Sequence, residues 1–257
     1  MPKKNILNQI DKLLEKNLKI GVQKQLDEQF NKNMQALDKV KVTFHDEYKN
    51  YHPQHIKIDI NDEGVINLVN INDQSPVYTE NPKRFCHHQV KNYFKKPHHF
   101  FNKLSPRIGK SFLETNKINQ IYEMIEDDAY TPAPLQIPVG MMIINGIGLG
   151  YHLTELIDQL DIYNLCIIEP NRDIFYASLY TVDWHKILKQ FYQTPGHGLQ
   201  INIGITSEQS LSAVAGLFNQ VGEHQRLNVL IYHHLTSNSH QHISWDLMCN
   251  ISNTYSP

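Results

Sequence analysis

The sequence predicts an α/β protein: a Rossmann-like parallel-sheet domain preceded by a smaller mixed α+β N-terminal domain. Three observations predict it. An apolar run, Val139 to Ile144, meets a turn with Gly146, Gly148 and Gly150; a helix-like segment follows, and a second apolar run, Leu165 to Ile168, ends in Glu169-Pro170. Strand-like and helix-like stretches then keep alternating, which implies a parallel sheet covered on both faces. Upstream, YTPAPLQIP (Tyr130 to Pro138) packs prolines into an extended connection that no helix continues through. That connection sets the boundary, with 1–132 as the N-terminal α+β domain and 133–257 as the Rossmann-like domain.

Taken in order, Ile6 to about Asp38 reads as helix. Ile6, Ile10, Leu13, Leu14, Leu18, Val22, Leu26, Phe30, Met34 and Leu37 recur at spacings of three and four, and Gly21 is a candidate break. HIKIDI alternates as a half-buried strand, Asn61-Asp62-Glu63-Gly64 supplies the turn, and VINLVNI returns, so an antiparallel hairpin is expected. Beyond the glycine turn, Asn171 can cap a helix through Phe175, Leu179 and Leu188, closed by Pro195-Gly196. Leu199 to Ile205 is the third strand of the sheet, Ser207 opens the next helix, and Leu227 to Tyr232 is the fourth strand.

From Pro82 to Leu113 the chain carries Lys83, Arg84, Lys91, Lys95, Lys96, Lys103, Arg107 and Lys110 without an acidic residue, interleaved with aromatics. Such a stretch can hold a phosphate backbone while bases stack, can attract an anionic protein or sugar, or can be the solvated face of packed helices. A net charge of −2 over 257 residues argues against nucleic acid as the global partner. No apolar run approaches the roughly 18 residues of a membrane span, and the start lacks a signal-peptide core, so a cytoplasmic protein is expected. Three scattered cysteines make neither a disulfide framework nor a zinc ribbon. His233, His234, His240 and His242 lack ligand spacing, so no metal site is assigned; His87-His88 and His98-His99 are read as basic surface.

The chemistry concentrates at the glycine turn. A chain leaving a buried parallel strand for a helix must turn sharply, and glycine does so without a side chain between backbone and ligand. The helix N-terminus offers N–H groups and partial positive charge to an anion. Glu169 closes the next strand about 20 residues on, where an acid commonly takes ribose hydroxyls. Tyr151 stands where the dinucleotide pattern G-x-G-x-x-G needs its third glycine, which argues against NAD and FAD. G-x-G-x-G also matches the first motif of S-adenosylmethionine methyltransferases, although Asn145 replaces their usual acid.

Two segments, INGIGLGYHLTELI and LCIIEPNRDIFYASLYTVDW, carry a family resemblance through Gly146, Gly148, Gly150, Tyr151 and His152, then Glu169-Pro170, Phe175, Leu179, Asp183 and Trp184. They resemble the central domain of motility accessory factor (Maf) proteins, bacterial flagellin glycosyltransferases related to an archaeal pterin diphosphokinase. The resemblance implies transfer of a nonulosonic, sialic-acid-like sugar from a CMP-activated donor to Ser or Thr of flagellin, without a tightly bound cofactor. It also implies nucleotide-binding roles for Gly146, Gly148, Gly150, Tyr151, His152 and Glu169. It names no catalytic residue: a second glycine-rich segment of the family does not follow here, so the chain is expected to be a fragment lacking part of the site. The alternatives left open are a methyltransferase or pterin diphosphokinase-like enzyme using the same pocket, and a non-enzymatic binding module.

Overall fold

A computed structural model describes residues 2–41, 44–100, 138–221, 229–234 and 240–243. The N-terminal part comprises helix α1 (Pro2–Lys39), the short helix α2 (His45–Lys49), the hairpin β1 (Ile56–Ile60) and β2 (Ile66–Asn70), helix α3 (Pro82–Lys95) and strand β3 (His98–Phe100). After residue 137 come β4 (Val139–Asn145), α4 (Tyr151–Gln159), β5 (Ile162–Glu169), α5 (Arg172–Thr181), α6 (Trp184–Gln193), β6 (Gly198–Ile203), α7 (Ser207–Val221) and β7 (Val229–His233). The proline connection, the 132/133 boundary, the end of the basic stretch and Cys249 lie outside the described residues.

The main sheet has the order β3-β7-β4-β5-β6, with β4 to β7 mutually parallel and β3 antiparallel on the edge beside β7. Its inner strands β4, β5 and β7 are apolar on both faces because both are covered. Met142, Ile144, Leu165, Ile167, Leu230 and Tyr232 face one core with Leu153, Leu156, Phe175, Trp184 and Phe191. Met141, Ile143, Cys166, Ile168, Val229 and Ile231 face the other, under Val214, Leu217 and Phe218 of α7. Cys166 is thus a buried small apolar residue.

Side-chain caps fix where helices begin. Asn81 accepts from the N–H groups of Lys83 and Arg84 ahead of Pro82, Asn171 accepts from Asp173 and Ile174, and Asp183 accepts from Lys186. The last of these corrects the sequence reading: the helix expected to run from Asn171 through Leu188 is two, broken at Val182-Asp183. Gly21 does not break α1, which is continuous. Of the apolar stripe of α1, Leu26, Met34 and Leu37 are buried toward the C-terminal half, while Leu13, Leu14 and Leu18 stay exposed. A 38-residue helix is roughly 57 Å long. The hairpin β1-β2 is antiparallel as expected, with Ile60 opposite Ile66. Strand β3 was not foreseen, since His98-His99 read as surface.

The N-terminal part is fastened to the sheet domain by polar contacts. Asn33 of α1, fully buried, donates to the carbonyls of Leu179 and Val182 at 2.7 Å each. The Asp173 carboxylate at the start of α5 accepts from the Tyr51 hydroxyl (2.6 Å) and from the backbone N–H groups of Gln54 (3.1 Å), His55 (2.6 Å) and Ile56 (2.9 Å). These bonds hold the entry to the hairpin against α5.

Candidate functional site

The chain lays β5 and β6 to one side of β4 and then returns to place β7 on the other. The carboxyl ends of β4 and β7 therefore flank the switch point, the usual crevice of an open parallel sheet. The glycine turn leaves β4 at this place, and His234 follows β7. Gly146, Gly148 and Gly150 have φ of 94°, 53° and 72°, the left-handed region that favours glycine. At Gly148 space is a second constraint: a Cβ would fall within the Tyr78 hydroxyl and 2.6 Å from His234 Nε2. At Gly150, which caps α4, a Cβ would overlap Val182 Cγ2.

Glu169 reaches the turn, but from inside. The sequence placed it at an open strand end facing a crevice; the structure buries it completely. Its Oε2 accepts from Ile147 N–H at 2.7 Å, and its Oε1 accepts from Asn171 N–H at 2.9 Å and lies 3.3 Å from His240 Nε2. His152 is also fully buried, with Nε2 3.1 Å from the Gly146 carbonyl. Burial, only partly offset by that bond, pulls its pKa down to about 3, so the ring is neutral. Tyr151 is the partly exposed member of the predicted set. Lys83 of α3 sits over its ring, 5.3 Å from the centroid, at the N-terminus of α4.

Over the turn lies a cluster that sequence reasoning missed. The Tyr78 hydroxyl is 2.7 Å from His234 Nε2 and accepts from Leu149 N–H at 3.2 Å. Cys86 Sγ is 3.9 Å from the same His234 nitrogen, and burial pushes its thiol up to about 12. The rings of His152 and His234 stack with centroids 3.7 Å apart. Tyr78, Cys86 and His234 sit in unrelated segments, and no local spacing could have joined them.

A mostly parallel sheet reversing at a glycine turn defines a Rossmann-like α/β protein. Residues 29–256 match the family model described as the glycosyltransferase Maf N-terminal domain, and the chain belongs to that family. Among solved structures it is similar to a MAf glycosyltransferase from Magnetospirillum magneticum AMB-1, with a TM-score of 0.69 and 19% identity over 88% of this chain and 35% of that one. The chain thus spans about a third of that protein's length, and the likeness is one of fold. No curated protein sequence gives a significant match. Among the described residues no helix is long and apolar enough to cross a membrane.

Proposed function

We propose that this chain serves a cytoplasmic glycosyltransferase of flagellin modification, holding the nucleotide of a CMP-activated nonulosonic acid whose sugar passes to Ser or Thr of flagellin. The observation that carries this reading is the placement of Lys83 over Tyr151 at the N-terminus of α4, beside the glycine turn. A cation, a helix N-terminus and an aromatic ring on one rim suit a phosphate and its attached base or ribose. In this reading Gly146, Gly148 and Gly150 shape the backbone, Tyr151 and Lys83 meet the ligand, and His152 and Glu169 hold the turn from beneath. No side chain of the chain is assigned to the transfer step.

Calorimetry with CMP, a CMP-linked nonulosonic acid, S-adenosylmethionine and ATP tests the reading. Cytidine nucleotides should bind, and Lys83→Ala should weaken them by about tenfold, since a bond to a charged group contributes roughly 1.5–3 kcal/mol. Failure of both cytidine ligands, or full affinity in the Lys83 variant, would refute it. Binding of S-adenosylmethionine alone would restore the methyltransferase alternative.

A further inference from the structure

We propose that Cys86, His152 and His234 form a binding site for a thiophilic metal ion, zinc(II) in the first instance, buried against the glycine turn. All three residues are buried, and their ligand atoms lie within 4.8 Å of one another. Cys86 comes from α3, His152 from α4 and His234 from the end of β7, so one ion would join both parts of the chain.

Hydrogen bonding fixes which ring nitrogens carry protons. Gln89 donates through Nε2 to the His233 carbonyl at 3.1 Å, so its Oε1 is an acceptor. That oxygen lies 2.7 Å from His234 Nδ1, which must therefore carry the hydrogen, leaving Nε2 an acceptor whose lone pair is taken by the Tyr78 hydroxyl at 2.7 Å. His152 Nε2 faces the carbonyl of Gly146, so it too is the protonated nitrogen, and Nδ1 is bare. His152 Nδ1 is buried and has no hydrogen-bond partner among the described residues. Each imidazole is thus held by its N–H on an outer acceptor, the arrangement that orients metal-ligating histidines. Two neutral imidazoles and a thiol are a donor set for zinc and similar soft or borderline ions rather than for magnesium or calcium.

The site is prepared but not contracted. Tetrahedral zinc with bonds near 2.0–2.3 Å separates its donors by roughly 3.3–3.6 Å, against 3.9 Å for Cys86 Sγ to His234 Nε2. Loading requires the stacked imidazoles to open into a wedge so that both lone pairs meet the ion. On binding, the Cys86 S–H bond breaks, sulfur binds the metal as thiolate, and the proton leaves to solvent. On loading, the Tyr78 hydroxyl, 2.7 Å from His234 Nε2, gives up its hydrogen bond to that nitrogen, and its oxygen is at hand for a fourth position.

The test uses the whole 257-residue chain, stripped by a chelator and titrated with cobalt(II), followed by zinc(II) competition. Expected are one cobalt per chain, a thiolate charge-transfer band with the visible bands of a four-coordinate ion, and displacement by zinc. Cys86→Ser should abolish the charge-transfer band and weaken binding at least tenfold, while Cys166→Ser and Cys249→Ser should leave both unchanged. X-ray absorption of zinc-loaded wild-type protein, which needs no variant to fold, should show one sulfur and two imidazoles about the metal. No cobalt retained after gel filtration, a band that survives Cys86→Ser, or a zinc shell without sulfur would overturn the proposal and leave an ordinary buried hydrogen-bond network. None of these readouts depends on nucleotide binding.

Discussion

Replacing Asp173 should cost more stability than replacing any exposed charge on the surface. The residue is 2% exposed, and its carboxylate receives the Tyr51 hydroxyl and three successive backbone N–H groups, from Gln54, His55 and Ile56. A hydrogen bond to a charged group contributes roughly 1.5–3 kcal/mol, but the four donors share one charge, and water can reach the freed N–H groups of exposed Gln54 and His55. The expected loss for Asp173→Ala is therefore about 2–4 kcal/mol. Asp173→Asn keeps an acceptor oxygen while its amide can donate to Tyr51, so about 1–2 kcal/mol is expected there. The pH dependence supplies an independent reading. Burial works against the ionised form, but the Tyr51 hydroxyl and the N–H groups of Ile56, His55 and Gln54 outweigh it and lower the pKa from 3.8. A depressed folded-state pKa means that the stabilisation is complete above the unfolded value and disappears as pH falls through the folded one. Urea unfolding of wild type should therefore lose this contribution below about pH 4, and Asp173→Asn should lack that part of the decline. Asp173→Ala within 1 kcal/mol of wild type at neutral pH, or identical acid profiles for wild type and Asp173→Asn, would refute the reasoning.

Gly150→Ala should destabilise through left-handed strain of about 1–2 kcal/mol and through overlap with Val182 Cγ2; adding Val182→Ala should recover the overlap but not the strain, read as positive coupling in a double-mutant cycle. Glu169→Gln should lower stability by about 1–3 kcal/mol in the absence of any nucleotide, measured by chemical denaturation, because the carboxylate serves Ile147, Asn171 and His240 inside the protein. Reversing exposed Lys91, Lys95 and Lys96 to glutamate should leave the unfolding midpoint nearly unchanged, since exposed charges contribute little, while weakening any anionic partner in salt-dependent pull-down.

The strands on either side of the glycine turn were legible because their apolar runs are bounded by glycine and proline, and a strand buried on both faces needs little else. Asp183 was legible in principle: an acid before Trp184 could mark a new helix, yet continuing apolar periodicity through Leu188 masked it. His98-His99-Phe100 has no alternation to read, and its strand exists only because β7 offers a partner. Glu169 shows the limit differently. Its position at the strand end could be read, whereas its burial depends on Ile147, Asn171 and His240 closing around it. The meeting of Tyr78, Cys86 and His234 was illegible, since three segments from both parts of the chain must fold before those side chains share one space.

The edge strand β3 bears on the order in which the polypeptide can mature. His98 pairs with Ile231, and Phe100 with Val229, so the N-terminal part cannot complete its pairing until β7 has left the ribosome. Until then β3 is an unpaired segment waiting for a distant partner, and such long-range pairing is slow and exposed to aggregation. A polypeptide cut between the two parts would leave the β7 edge open, a ready template for the strand of another chain. Synthesis as one continuous chain keeps that template and its intended partner at high local concentration from the moment both exist.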